Sequence, residues 1–217
     1  IIQREVSDGI IAPDFEADAF ELLKRKKGGK YPIFQMDKEF VPDENEIREV
    51  FGVTLKQTRN NFIPDQDFFK NVVSLRTELS KEAERDLTVA TIAAKYTQSN
   101  SVTLAREGQI IGIGAGQQSR VHCVRLACSK ADNWYLRQHP NVTSMQFKKN
   151  IKRAEKVNAI DIYLQEEATN NELAVWQKNF DKVPELISSK EKRQFLDKMS
   201  GVALSSDAFF PFRDNID

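Results

Sequence analysis

Residues 101–120 read SVTLAREGQIIGIGAGQQSR and decide the fold of the chain. Two short apolar runs, 101–105 and 109–113, flank a Glu-Gly pair at 107–108 and predict two strands joined by a turn. Apolar residues then recur at helical spacing from about Ser119 to Gln138, and a proline lies just beyond. The stretch therefore predicts a strand, a turn, a second strand and a helix.

The rest of the chain continues this alternation of short strands and helices. In chain order, the other predicted segments are a helix over 15–27 capped by Asp14, a buried strand over 31–36, a polar turn over 42–46, an irregular stretch over 51–73, a helix over 80–96 capped by Ser80, and a helical insertion over 145–200. The alternation predicts an α/β protein.

Composition narrows the class of protein. The 217 residues carry 32 basic and 32 acidic side chains, and this zero net charge disfavours a protein that coats DNA or RNA. No run of about 18 apolar residues is present, so we expect no membrane span. Two cysteines cannot form a disulfide framework, which favours a reducing, cytosolic setting. The first and last residues do not resemble natural termini, so we expect a piece of a longer polypeptide.

The glycines of the G-x-G-x-G pattern at Gly112, Gly114 and Gly116 let backbone N–H groups approach a phosphate. The dinucleotide fingerprint and the phosphate-loop motif both need further residues that are missing here. By themselves the glycines predict a tight connection between strand and helix. Arg120 follows at the predicted helix N-terminus, where it can hold an anion with help from the helix dipole.

Cys123 and Cys128 are poorly spaced for zinc, because residues five apart do not align on one helix face. We interpret both as buried small hydrophobic residues. Only two histidines, His122 and His139, are present, which leaves few options for a Ser-His-Asp triad. His139 precedes a proline and is predicted to lie at a helix end.

Three further segments carry polar groups, and composition alone does not decide whether these groups are structural or functional. Residues 95–101 form either a hydrophilic turn or a cluster that holds a polar ligand or a hydrated cation. Residues 205–214 combine three phenylalanines with two carboxylates, as a buried loop or as an aromatic shelf for a flat heterocycle. Residues 1–12 are β-prone, and Asp8 is predicted to lie in a turn after a strand, where it can accept ribose hydroxyls or an amine, or merely cap the turn.

Several of these segments together resemble one family. The matching blocks are 4–13, 95–101, 112–123, 152–161 and 205–215. They are similar to the transformylase part of the bifunctional AICAR transformylase/IMP cyclohydrolase family. The resemblance implies two subdomains of cytidine-deaminase-like α/β fold, each a mixed sheet flanked by helices, without zinc. It also implies a cytosolic homodimer that moves the formyl group of 10-formyltetrahydrofolate to the 5-amino group of AICAR in IMP biosynthesis.

The same resemblance implies domain boundaries. Residues 1–58 would end the first transformylase subdomain, and residues 59–144 with 201–217 would form the second. Residues 145–200 would be the helical insertion between its two parts. The cyclohydrolase domain and a C-terminal region of the family would lie outside the chain.

Matched position by position, the resemblance assigns roles to individual residues. The positions that contact AICAR are Asp8, Asn100, Arg120 and Phe209. The folate-contacting positions are Val121 and Asp214, with Phe212 nearby. A monovalent cation, potassium, would be held by Thr97, Ser99, Ser101 and Asp207. Asn100 would hydrogen-bond near the reacting carboxamide in a supporting catalytic role.

The family's proposed catalytic Lys-His pair has no counterpart here, since no Lys-His dipeptide occurs in the chain. We therefore expect the 217 residues to be inactive by themselves. A non-catalytic nucleotide- or folate-binding module is the alternative. A zinc deaminase is disfavoured, because the H-x-E and P-C-x-x-C signatures are absent.

Overall fold

The computed structural model describes residues 2, 6–65, 67–75, 77–165 and 168–210. The chain divides into two compact units, Ile1–Phe62 and Ile63–Asp217. No helix among these described residues has both the length and the apolar character needed to cross a lipid bilayer.

The first unit contains a parallel strand pair. β1 (Ile10–Ala12) pairs with β2 (Ile33–Gln35), and α1 (Ala17–Lys24) lies between them in the chain. The helix predicted over 15–27 is thus shorter at both ends than expected. The chain leaves the helical conformation at 27–29, where three successive residues have positive φ.

The capping role predicted for Asp14 is wrong. Glu16 precedes the first helical residue, and its side chain makes no capping hydrogen bond. The Asp14 carboxylate accepts a hydrogen bond from the Phe15 N–H at 2.9 Å and pairs with Lys38 Nζ at 2.8 Å. Asp14 therefore fixes the loop before the helix and not the helix itself.

An antiparallel hairpin completes the first unit, where the sequence predicted a polar turn and then irregular chain. β3 (Asn45–Val50) pairs with β4 (Val53–Thr58). The loop residues Phe51 and Gly52 both have positive φ, which is the backbone of a type I′ turn. The bulky Phe51 stands where Asn or Asp usually marks such a turn, and this hid the hairpin.

The second unit holds the remaining elements. In chain order they are α2 (Lys81–Lys95), β5 (Ser101–Arg106), β6 (Gln109–Ala115), α3 (Arg120–Leu136), α4 (Pro140–Thr143), β7 (Gln146–Phe147), α5 (Arg153–Leu164), α6 (Asn170–Trp176), β8 (Phe180–Lys182), α7 (Ser189–Leu196) and β9 (Ala203–Ser206). β5 lies between β6 and β9 in an antiparallel sheet. The predicted α/β class and the strand–turn–strand–helix order of 101–138 are confirmed.

The helices α2 and α3 cover opposite faces of this sheet. Thr103 Oγ1 donates to the Ala90 carbonyl of α2 at 2.7 Å. Its neighbours Val102 and Leu104 instead pack with Cys123 of α3 in one buried cluster. Because successive strand residues point to opposite faces, this alternation places one helix on each side.

Glycines allow α3 to lie close to β6. A Cβ added to Gly112 would fall 2.2 Å from the Ala127 carbonyl oxygen, and one added to Gly114 would fall 1.8 Å from the Cys123 carbonyl oxygen. Both distances are far inside van der Waals contact. Two of the three glycines therefore serve the packing of helix on sheet.

The elements between α3 and β9 share a separate core. Its buried residues are Leu136, Val142, Ala159, Tyr163, Leu164, Trp176, Phe180 and Ile187. Trp176 Nε1 donates to the Ala159 carbonyl at 2.8 Å, which joins α6 to α5. After this helical region the chain returns to the sheet through β9. The predicted domain boundaries remain a prediction.

Candidate functional site

Three segments meet at one end of the β6–β5–β9 sheet. The strand register pairs Ser101 with Ala115 and Val102 with Ser206. The chain that leads into β5, the chain that leaves β6 and the chain that leaves β9 are therefore neighbours. α3 begins at the same end, at Arg120, with Ser119 Oγ accepting from the His122 N–H as its cap.

Arg120 lies at the centre of this junction and is only 8% exposed. Its Nη1 donates to Asp207 Oδ1 at 2.6 Å, to Ser206 Oγ at 2.7 Å and to the Ser101 carbonyl at 3.1 Å. Its Nη2 donates to Asn100 Oδ1 at 3.0 Å. The guanidinium thus joins all three segments by hydrogen bonds.

Asp207 is the anionic partner in this junction. Its Oδ1 also accepts from the Ser101 N–H at 2.9 Å, and its side chain is 22% exposed. Burial raises the pKa of Asp207, but hydrogen bonds from Ser99, Ser101 and Arg120, with the charge of Arg120, outweigh burial and lower the pKa to about 2. The carboxylate is therefore ionised throughout the neutral range.

Asn100 is held through both its main chain and its side chain. Its Nδ2 donates to the Gln117 carbonyl at 3.2 Å, while Oδ1 accepts from Arg120. Its carbonyl accepts from the Gly116 N–H at 3.2 Å and from the Cys123 thiol at 2.9 Å. The peptide bond between Ser99 and Asn100 is cis. These partners fix the direction of the Asn100 amide.

The four residues predicted to hold a cation fall into two groups. Ser99 and Ser101 both hydrogen-bond to Asp207. Ser101 is fully buried, and its Oγ has no hydrogen-bond partner in the described part of the chain. The Thr97 hydroxyl donates instead to the Ala93 carbonyl of α2 at 2.6 Å. Its hydrogen is therefore used, and its oxygen lone pairs are what it could offer a cation.

The predicted aromatic shelf is only partly described. Phe209 is 79% exposed, whereas Phe210 packs against the core that Val102 shares with α3. The predicted folate positions Phe212 and Asp214 lie outside the described residues. Val121, the third of them, is half-buried in the first turn of α3. One exposed ring is therefore available two residues after Asp207 in the chain.

Asp8 belongs to the first unit. Its fully exposed carboxylate pairs with Lys27 Nζ at 2.6 Å, and the hydrogen bond from Lys27 lowers the pKa of Asp8. The same turn is tied down by Tyr31, whose hydroxyl donates to the Gly9 carbonyl at 2.9 Å and contacts Ser7 Oγ. The turn therefore presents an ionised carboxylate at the surface of its unit.

The structure decides two sequence interpretations around α3. Gly112 and Gly114 lie within β6, and the backbone N–H of Gly116 donates to the Gln98 and Asn100 carbonyls, so the glycines form the tight connection from strand to helix that the sequence predicted. Cys123 is buried as predicted, but Cys128 is exposed. Cys128 lies five residues further along α3, on a different face.

Sequence reasoning missed three contributors to the junction. Ser206 and Gln117 enter through a hydroxyl and a main-chain carbonyl, and Cys123 enters through its thiol. Nothing in the sequence distinguishes Ser206 or the Gln117 carbonyl from other polar groups. A cysteine thiol can donate a hydrogen bond, so this role could have been predicted for Cys123. Only its burial was predicted.

Comparison with known proteins places this chain in a family. The model of the AICARFT/IMPCHase bienzyme family matches residues 1–130. The chain belongs to the AICARFT/IMPCHase bienzyme family. The matched residues include Asp8, Asn100 and Arg120, whereas Asp207 and Phe209 lie beyond them.

Curated relatives agree with this assignment. A bifunctional purine biosynthesis protein PurH from Thermoanaerobacter sp. (strain X514) is 37% identical over 126 residues, which are 56% of this chain and 24% of the relative. PurH from Lactobacillus acidophilus is 32% identical over 56% of the chain and 23% of the relative. PurH from Xylella fastidiosa is 31% identical over 63% of the chain and 25% of the relative. The chain thus spans about a quarter of the length of these relatives.

Proposed function

We propose that this chain takes part in purine biosynthesis as part of a folate-dependent formyltransferase. The reaction would move the formyl group of 10-formyltetrahydrofolate to the 5-amino group of AICAR. Membership of the AICARFT/IMPCHase family and the names of the PurH relatives support the role in purine biosynthesis. The observation that carries formyl transfer is the hydrogen-bonded junction of Asn100, Arg120 and Asp207, which includes two positions that the resemblance assigns to AICAR contact.

The chemistry of the transfer needs precise positioning. The AICAR amine attacks the formyl carbon, the bond from that carbon to the folate nitrogen breaks, the amine loses a proton and the folate nitrogen gains one. The amine is a poor nucleophile because its lone pair is delocalised into an electron-poor ring, so orientation supplies much of the rate. A fixed Asn100 amide suits this role. Its bonds to Gln117 and Arg120 hold it in place and leave one N–H and one oxygen lone pair for a substrate.

The residues that move these protons are not assigned within the chain. The resemblance gives that task to a Lys-His pair, and no Lys-His dipeptide occurs in the 217 residues. The proposal therefore assigns binding and orientation to this chain, and proton transfer to residues outside it.

We further propose that the Asp207 region binds a monovalent cation. The donors are one carboxylate and neutral hydroxyl oxygens, which suit a hard cation such as potassium and not zinc. The buried, unpartnered Ser101 Oγ among the described residues supports this, because a cation would satisfy it. When bound, the cation would add positive charge beside Arg120.

Replacing Asn100 tests the formyltransferase proposal. In the intact protein that contains this chain, formyl transfer to AICAR is followed by the absorbance of the tetrahydrofolate formed. We expect Asn100→Ala to lower kcat/KM about tenfold to hundredfold, because a fixed donor and acceptor are lost. Arg125→Ala is the matched control, since Arg125 is exposed on the same helix as Arg120. Circular dichroism checks that each variant is folded.

The outcomes separate the proposal from its alternatives. A wild-type protein that closes formyl-AICAR to IMP but does not transfer the formyl group would assign the cyclohydrolase activity instead. Binding of AICAR or folate without turnover in the intact protein would favour the non-catalytic binding module. Asn100→Ala activity equal to that of Arg125→Ala would remove Asn100 from the site.

The homodimer and the cytosolic location implied by the resemblance are part of the proposal. Sedimentation of the intact protein at micromolar concentration would show a dimer. Fractionation of cells would recover the protein in the cytosol. A monomer, or recovery in another compartment, would contradict these two statements separately.

A further inference from the structure

Cys123 contacts the candidate site directly. The residue is fully buried on the sheet-facing side of α3. Its Sγ lies 2.9 Å from the Asn100 carbonyl oxygen, with the thiol as donor. Neither the packing role inferred from the sequence nor the proposed chemistry uses this contact.

The packing of α3 on the sheet holds this thiol in place. A Cβ on Gly114 would lie 1.8 Å from the Cys123 carbonyl oxygen, so the helix backbone rests on the strand at this point. Ser101, the residue after Asn100, pairs with Ala115, the residue after Gly114. The close approach of helix to strand therefore brings the Cys123 side chain within hydrogen-bond distance of the Asn100 carbonyl.

The thiol completes a set of partners around one residue. Gly116 donates to the same Asn100 carbonyl, Arg120 donates to Oδ1, and Nδ2 donates to the Gln117 carbonyl. Gln117 and Arg120 set the plane of the side-chain amide. Cys123 and Gly116 set the peptide from which that side chain extends.

We propose that Cys123 is a positioning residue for the formyl-transfer reaction. Its S–H group fixes the Asn100 peptide, and so fixes the direction in which the Asn100 amide meets the carboxamide of the substrate. The inference rests on the proposed function. It assigns no covalent chemistry to the thiol, which acts only as a hydrogen-bond donor.

A comparison of serine and alanine at position 123 separates the effect of the hydrogen-bond donor from the effect of lost packing. Both substitutions remove the sulfur and leave side chains that differ by one oxygen, so the loss of packing is largely shared between them. Cys123→Ser keeps a donor, whereas Cys123→Ala has none. Cys128→Ala is the matched control, because Cys128 is the exposed cysteine of the same helix.

We expect kcat for formyl transfer in the intact protein to be about tenfold lower in Cys123→Ala than in Cys123→Ser, which is the scale of one hydrogen bond. The KM for AICAR should change less than kcat, because the thiol does not touch the substrate. Cys128→Ala should match the wild type. Equal kcat values in the serine and alanine variants would overturn the proposal.

A spectroscopic measurement keeps the proposal testable if a variant at 123 does not fold. The measurement is made on the 217-residue chain by itself, where Cys128→Ala leaves Cys123 as the single thiol. Its infrared S–H stretching band should lie at lower frequency than that of an exposed thiol. A band at the position of an unbonded thiol would refute the contact, whatever the activity. A wild-type protein without formyl transfer would instead refute the proposed function, even with the shifted band.

Discussion

Asp207→Asn removes the negative charge that Arg120 contacts at 2.6 Å while keeping the shape of the side chain. The pKa of Asp207 is about 2, against an ordinary value of 3.8. This difference of about 1.8 corresponds to about 2 kcal/mol of folding stability when the carboxylate is ionised. Because the folded pKa is the lower one, that stability is present above about pH 4 and is lost as the pH falls through about 2.

Urea unfolding at several pH values measures this effect. Both tryptophans of the chain, Trp134 and Trp176, lie in the second unit, so their fluorescence reports the unit that contains Asp207. We expect Asp207→Asn to be about 2 kcal/mol less stable than the wild type at pH 7. The difference should shrink steadily between pH 4 and pH 2. Choline chloride in place of potassium salts keeps cation binding out of the comparison.

A matched control and a refuting result complete this experiment. Asp181→Asn removes an exposed carboxylate in the same unit, and we expect it to stay within about 0.5 kcal/mol of the wild type. A stability difference for Asp207→Asn that is the same at pH 7 and pH 3 would refute the reasoning. In that case the loss would come from packing or geometry and not from the charge.

Two other substitutions test the packing of the second unit. Lys192→Met should lower stability by about 1–3 kcal/mol in urea unfolding, because the buried ammonium donates to two carbonyls at the C-terminal end of α5; the exposed Lys190→Met should change stability little. Gly114→Ala should destabilise the protein by about 3 kcal/mol or more, since its Cβ would overlap the Cys123 carbonyl. Gly116→Ala meets no neighbour and should cost only about 1 kcal/mol, from its positive φ. Equal losses within either pair would contradict the corresponding contact.

The elements with strong local signals could be predicted from the sequence. Ser80 caps α2 and Ser119 caps α3, as the residue types indicate. The Ser188–Glu191 pair forms a capping box at the start of α7. In each case one short side chain lies next to an apolar pattern of helical period, and this combination depends little on the rest of the fold.

The elements that were missed depend on contacts that local patterns do not record. The β3–β4 hairpin is largely exposed on both faces, so its strands lack the alternation of buried and exposed residues that marks an amphipathic strand. Asp14 was assigned to a helix because a carboxylate before an apolar run suits a cap, but Lys38 and the Phe15 N–H bind it instead. A partner 24 residues away thus decided the role of Asp14, whereas the hairpin pairs locally and was missed for lack of a burial pattern.

The candidate site likewise has parts that local sequence signals predict and parts that they do not. Arg120 could be placed at a helix N-terminus from the sequence, and the resemblance pointed to Asn100. The inward direction of the guanidinium, and its partners Ser206 and Asp207, could not be predicted. They lie more than 80 residues further along the chain, where no local rule relates them to Arg120.

The route by which β9 returns to the sheet has a consequence for how the molecule folds. The hydrogen bond from the Ser101 N–H to Asp207 closes a loop of 106 residues. Closing a flexible loop of that length lowers chain entropy, and each halving of the free length recovers about 0.6 kcal/mol. The helical region between α3 and β9 has its own core and can order first, which shortens the free chain. A substitution that destabilises that core would lengthen the free loop again, and would therefore disfavour closure of an Arg120 junction that it does not touch.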